Sequence, residues 1–147
     1  MTFWEIIGLL DWSQEGNDEA VTEPVIEYLS GQDDDVIFDF DERLAECLYA
    51  IDGKKWAKQY KKTAGGYYSP DGFLYGRCVA VANGEEHYKS VLKGKTDING
   101  EFEFESILYV AGKAWERKHG RESGEYSYVT RVSYETRSNK KKWGFFA

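Results

Sequence analysis

Four carboxylates, Asp35, Asp39, Glu42 and Glu46, recur at helical spacing along one stretch of the chain. At about 100° per residue they fall within about 60° of one another on a helix. Phe38 and Tyr49 border that line on one edge. The apolar residues Val36, Ile37, Phe40, Leu44, Leu48 and Ile51 centre on the other side. An exposed helix ordinarily pairs Glu with Lys at i,i+4, which adds about 0.2–0.5 kcal/mol per pair. Here the same spacing joins Asp35 to Asp39 and Glu42 to Glu46, so like charges face each other. A plain solvated helix face is one reading. A surface held for a basic partner is the other, since acid beside aromatic rings imitates phosphate beside stacking bases. The partner-binding residues read from the sequence are therefore Asp35, Phe38, Asp39, Glu42, Glu46 and Tyr49.

Catalysis is poorly served. The two histidines are His87 and His119. His119 ends a predicted helix, where its charged form is favoured, so it reads as structural. His87 stands in Glu85-Glu86-His87-Tyr88 with no nucleophile at a recognisable spacing. Nucleophile-elbow, P-loop, Cys-x-x-Cys and His-Glu-x-x-His patterns are absent. Asp97-Ile98-Asn99-Gly100-Glu101 has calcium-loop residue types, but its glycine comes too early, so a plain turn is expected. The sequence thus predicts no catalytic residue, no metal site and no cofactor, and a protein that is not an enzyme.

The charge is split along the chain. Residues 1–53 hold fifteen carboxylates and one base, Arg43, within an overall charge of −7. Lys54, Lys55, Lys58, Lys61 and Lys62 form a basic stripe beside Trp56 and Tyr60, and Lys140 to Lys142 precede Trp143, Phe145 and Phe146. The acidic balance argues against nucleic acid as a partner, and these lysines are expected to meet the protein's own acids. Three lysines bind a membrane weakly, so no membrane role is expected of the tail. The 41% hydrophobic and 16% aromatic content excludes disorder. No apolar run approaches the roughly 18 residues of a membrane span. The opening Met-Thr-Phe-Trp-Glu has no basic stretch, so a signal peptide is not expected. Cys47 and Cys78 sit in apolar patterns and read as buried, reduced thiols of a cytoplasmic protein.

Helices must position these residues. Thr2 and Glu5 form a capping box ahead of Phe3, Trp4 and Ile7. A second helix is predicted over about Asp18 to Leu29, limited in its first part by Pro24. The third starts at Asp33-Asp34-Asp35 and closes at Gly53. A basic helix over Lys54–Thr63 follows, then one capped by Ser69 with Pro70 at its first position. A short helix around Tyr88 comes next. A long one is expected from about Glu101 to His119, closed by Gly120. After Gly124 the period falls to two through Tyr126, Tyr128, Thr130, Val132, Tyr134 and Thr136, which predicts an extended segment. The expected fold is mainly α: one domain over 1–147, with a helical-bundle body at 1–120 and an extended or β-like basic-aromatic tail at 121–147.

Several motifs carry a resemblance. They are Phe3-Trp4-Glu5-Ile6-Ile7; Phe40 with Leu44, Leu48, Tyr49 and Asp52; and Ser69, Asp71-Gly72-Phe73, Tyr75 and Arg77. Asn83-Gly84-Glu85 with Tyr88, and Tyr134-Glu135-Thr136 with Ser138-Asn139, complete the set. Together these resemble a bacterial domain-of-unknown-function family, number four-two-four-zero in that series, over nearly the whole chain. The resemblance implies a mainly helical domain of this size, carries no assigned activity and transfers no catalytic residue. The expectation that follows is a non-enzymatic acidic binding protein with a basic protein partner. Its most concrete form is an immunity protein neutralising a toxin such as a nuclease. The alternatives are a regulatory or structural binding module and a small enzyme of another class.

Overall fold

A computed structural model of the chain describes residues 1–144. The Phe145–Phe146 end of the tail lies outside the described residues. The capping box at the start is formed: Thr2 Oγ1 accepts the Glu5 N–H at 3.1 Å, and Glu5 Oε1 accepts the Thr2 N–H at 2.8 Å. The helices are α1 (Phe3–Ile7), α2 (Asp18–Ser30), α3 (Asp34–Ala50), α4 (Lys54–Thr63), α5 (Pro70–Ala82), α6 (Glu85–Leu92) and α7 (Val110–His119). Short 3₁₀ turns lie at Trp12–Gln14, Glu105–Tyr109 and Lys140–Trp143. No strand forms among the described residues, so the chain is mainly α.

Two expectations about the helices change. α2 runs through Pro24 unbroken. Proline deletes one backbone donor, and the packing of α2 on α7, with Val21, Val25 and Leu29 buried, holds the helix across that gap. The long helix expected from Glu101 is only α7, entered through the 3₁₀ turn Glu105–Tyr109. Phe104 is buried outside it, its N–H given to the Tyr75 carbonyl at 3.2 Å rather than to a helical partner.

The chain packs as two compact units, and each takes part of the helical body and part of the C-terminal segment. The first comprises Met1–Arg43 and Ser106–Arg131. Its core holds Phe3, Ile7, Val21, Leu29, Ile37 and Phe40 with Ile107, Val110 and Ala114. The Phe3 and Phe40 rings meet at 5.1 Å. Gly120 ends α7 in the left-handed conformation at φ 61.

The second comprises Leu44–Glu105 and the segment from Val132. α5 packs against α4 and α6. Gly72 and Gly76, one turn apart, let the Tyr60 ring lie against α5; a Cβ at Gly76 would stand 2.9 Å from Tyr60 Cδ1. Trp56 Nε1 donates to the Val91 carbonyl at 2.9 Å, and Tyr88 Oη donates to the Cys47 carbonyl at 2.6 Å. Arg77, 0% exposed, is the largest fully buried side chain among the described residues. It donates to the Leu48 carbonyl at 2.8 Å, the Tyr134 carbonyl at 3.0 Å and Thr136 Oγ1 at 3.1 Å.

Candidate functional site

The acidic line stands on α3. Asp34 and Asp35 occupy its first turn, where the helix dipole favours them. Ile37, Phe40, Leu44 and Leu48 are buried. Asp35, Phe38, Asp39 and Glu42 belong to the first unit, and Glu46 and Tyr49 to the second. Asp35 and Asp39 are exposed and, among the described residues, carry no ion pair or side-chain hydrogen bond. Glu46 is exposed, and Tyr49 is half-buried with its carbonyl accepting from Asn139 Nδ2 at 2.9 Å.

The expectation of a wholly free acidic line fails at Glu42. Its Oε1 accepts the Tyr128 hydroxyl at 2.6 Å and the Arg131 N–H at 3.0 Å. Beside it Phe38 stacks on Tyr128, with centroids 4.4 Å apart and planes within 5°. The extended segment therefore lies on this part of α3. Its period-two pattern is real: Tyr126, Tyr128 and Thr130 are half-buried, while Ser127, Val129 and Arg131 are exposed. No ladder accompanies it, because carboxylates take the backbone donors instead. In the first unit Glu116 Oε2 accepts the N–H groups of Gly124 at 2.9 Å and Tyr126 at 3.1 Å, and Glu42 takes that of Arg131. In the second unit Asp52 accepts from the N–H groups of Arg137 at 3.1 Å and Asn139 at 3.0 Å, and from Trp143 Nε1 at 2.7 Å. Arg137 is held there at φ 77, the left-handed region unusual for a side-chain-bearing residue.

Asp41 is the group that the spacing did not single out. It is 8% exposed, and its Oδ2 accepts the Tyr126 hydroxyl at 2.9 Å. Burial pushes its carboxyl up from 3.8 to about 6; the Tyr126 bond opposes this and the neighbouring Glu42 charge adds to it. Burial likewise raises the Tyr126 phenol, and the bond to Glu42 raises that of Tyr128. The period-two tyrosines were the signal for this contact, but nothing in the spacing said which helix they would meet.

Other acids of the first unit have local partners. Glu23 takes a bidentate bond from Arg117 at 2.6 and 2.8 Å, which holds its carboxyl below the usual range. Asp34 accepts from Lys118 at 2.7 Å and lies 2.9 Å from His119 Nε2, and both lower its carboxyl. His119 thus sits in a surface ion-pair cluster, its ring 4.8 Å from that of Trp115. Even so, the first unit carries sixteen acids against six bases, a formal charge of −10, and the second thirteen bases against ten acids, +3.

A second feature lies within the second unit. A groove of about 200 Å³ opens beside His87, with Val79, Ala80 and Ile98 as apolar lining and Asn83, Asp97 and Asn99 as polar groups. Asn83 Nδ2 is committed to the Val79 carbonyl at 2.8 Å, and Asn99 Oδ1 to the Glu101 N–H at 2.8 Å. Among the described residues no group of three His, Cys, Asp or Glu side chains could hold a metal ion. Neither Cys47 nor Cys78 forms a disulfide; Cys78 is buried, and burial raises its thiol well above the ordinary value. No helix among the described residues is long and apolar enough to cross a membrane.

Among curated proteins and among solved structures, none matches this chain. A family comparison matches residues 1–117. That span takes in the Phe3–Ile7, Phe40–Asp52, Ser69–Arg77 and Asn83–Tyr88 motifs and leaves Tyr134–Asn139 outside. The chain belongs to the family described as Protein of unknown function (DUF4240).

Proposed function

We propose that the protein is a non-enzymatic binding protein whose acidic first unit takes a basic protein partner, most concretely an immunity protein that neutralises a basic toxin such as a nuclease. The observation that carries this reading is the pair Asp35 and Asp39. They stand one turn apart on α3, both exposed and, among the described residues, without an ion pair or side-chain hydrogen bond, in a unit of formal charge −10. Like charges at i,i+4 weaken a helix slightly, and a cationic partner removes that repulsion. A one-sided field of this kind raises association rates and rejects acidic competitors.

The test is the association rate with the product of the adjacent gene, measured by stopped flow across a salt series. Asp35→Lys with Asp39→Lys slows association and flattens its salt dependence. The cost in stability is about 1 kcal/mol, because both positions are exposed and Asp35 leaves the dipole-favoured first turn of α3. Glu42 is unsuited to this test, since its reversal also removes the acceptor of Tyr128 and Arg131. An on-rate unchanged by the double reversal removes this face from the mechanism. A second reading, a small-molecule site and with it an enzymatic role, rests on the groove beside His87. It requires that His87→Ala abolish turnover or binding of the ligand while leaving the protein association rate intact.

A further inference from the structure

We propose that the lysine-bearing face of the second unit binds single-stranded nucleic acid through its phosphates. At about 100° per residue, the five lysines of α4 cover an arc of about 120°. All five are exposed, opposite the buried Trp56, Ala57 and Tyr60. The 3₁₀ turn Lys140–Trp143 packs against α4 and adds three exposed lysines to the same unit. The sequence led us to expect these charges to meet the protein's own acids. Among the described residues none of the eight forms an ion pair.

Two of the ammonium groups are instead held in place. Lys55 Nζ lies 5.3 Å and Lys142 Nζ 5.0 Å from the centroid of the same Trp56 ring. Lys142 Nζ also donates to the Ala50 carbonyl at 2.6 Å. Partial burial, then Lys55 and Lys141, lower the Lys142 ammonium from its ordinary value. Gathering cations without a counter-charge costs energy, and a phosphate removes that cost. Because the acids and bases are divided between the units, the whole-chain charge of −7 does not describe this face.

Two observations select a nucleic acid over an anionic membrane. Among the described residues α4 itself presents no apolar ring to insert, since Trp56 is 6% and Tyr60 3% exposed. Just beyond α4, Tyr67 is 72% exposed, and its N–H is tied to the Ala64 carbonyl at 3.2 Å. An exposed aromatic ring that follows a cationic stripe in the chain offers a face on which an unpaired base can stack. The surface has no array of groove-reading side chains, so the recognition is of backbone and base face, not of sequence.

The probe is a fluorescein-labelled oligothymidylate titrated by anisotropy at low salt. Saturable binding is expected, with log K falling against log salt at a slope of about −0.7 per phosphate contacted. Lys58→Glu with Lys61→Glu and Lys62→Glu weakens it about tenfold or more. The milder Lys58→Gln with Lys62→Gln reduces the slope by about 1 to 2. Tyr67→Ala costs about fivefold, and Lys113→Glu, in the first unit, changes nothing. Circular dichroism checks that each variant is folded. The proposal is overturned by an absence of saturable binding, or by folded lysine variants that bind as well as the parent. It is equally overturned if polyglutamate or phosphatidylserine vesicles take the protein and the oligonucleotide does not.

Discussion

Replacing Asp41 by Asn should abolish a pH dependence that the wild-type protein carries. Asp41 is nearly solvent-free, and burial raises its carboxyl from 3.8 to about 6. The folded state therefore holds this proton more tightly than the unfolded chain does. Its contribution to stability is fully present below 3.8 and is lost as pH rises through about 6. At about 1.4 kcal/mol per pH unit, the loss is about 3 kcal/mol. Little of this is screened, because the residue is only 8% exposed. Asparagine is neutral throughout, has nearly the same shape, and its Oδ1 can still accept the Tyr126 hydroxyl. Its N–H₂ group adds a constant cost of about 1–3 kcal/mol if it finds no acceptor. That cost cancels when two pH values are compared. Urea unfolding of both proteins between about pH 4 and pH 7.5 is the assay. The variant should gain about 2.5 kcal/mol on the wild type across that range, because about 0.5 kcal/mol of the loss has already occurred at pH 4. Titrations elsewhere cancel in the difference; Glu42, next in the chain and a contributor to the shift, is the coupled group to hold in mind. A difference that stays flat with pH would show that Asp41 is not desolvated as described.

The same substitution has the opposite sign at Asp52. Three donors, Arg137 N–H, Asn139 N–H and Trp143 Nε1, converge on its two oxygens, so Asp52→Asn sets an N–H₂ against a donor. We expect a loss of about 1–3 kcal/mol or more, a red-shifted Trp143 emission and faster proteolysis between 132 and 144; wild-type stability and emission would refute this. Leu44→Ala, at a site 1% exposed, should cost about 2–5 kcal/mol by leaving a cavity, as read from denaturant midpoints. Gly72→Ala would drive a Cβ into Tyr60 Oη and bring it within 2.9 Å of Ser69 Oγ, the N-cap of α5. A loss of about 1–3 kcal/mol is expected, and an unchanged melting temperature would show that Tyr60 has room to move.

Local chemistry was legible in the sequence where one short segment decides the outcome. Thr2 with Glu5, Ser69 with Pro70, and the apolar stripe of α3 each carry their instruction within a few residues, and each formed. The stretch from Glu101 misled because Phe104, Ile107 and Leu108 keep helical spacing. Their burial needs only a loop and a 3₁₀ turn once the Phe104 N–H reaches Tyr75. The tail's alternation correctly gave an extended chain with one face inward. It could not give the partner, because two of the acceptors that replace a neighbouring strand, Glu42 and Asp52, are single carboxylates far away in sequence. Arg131 lies 89 residues from Glu42, and Asn139 87 from Asp52. For the same reason the acidic line was visible as a line, while the division between Glu42, bonded to the segment, and Asp35 and Asp39, left open, was not.

Carboxylate docking of the extended segment also bears on the order in which the protein can be built. α3 leaves the ribosome well before residues 126–143, yet its buried Asp41 and the adjoining Asp52 take their side-chain and backbone donors from that later stretch. Until it arrives, Asp41 and Asp52 need water, and the helix they flank cannot close its polar side. Contacts of such separation form late and slowly, because a long loop must be ordered before any reward is gained. The helices up to His119 therefore emerge with polar groups that oppose premature collapse of α3. The packing of α3 is completed by the tyrosines and backbone N–H groups of the extended segment.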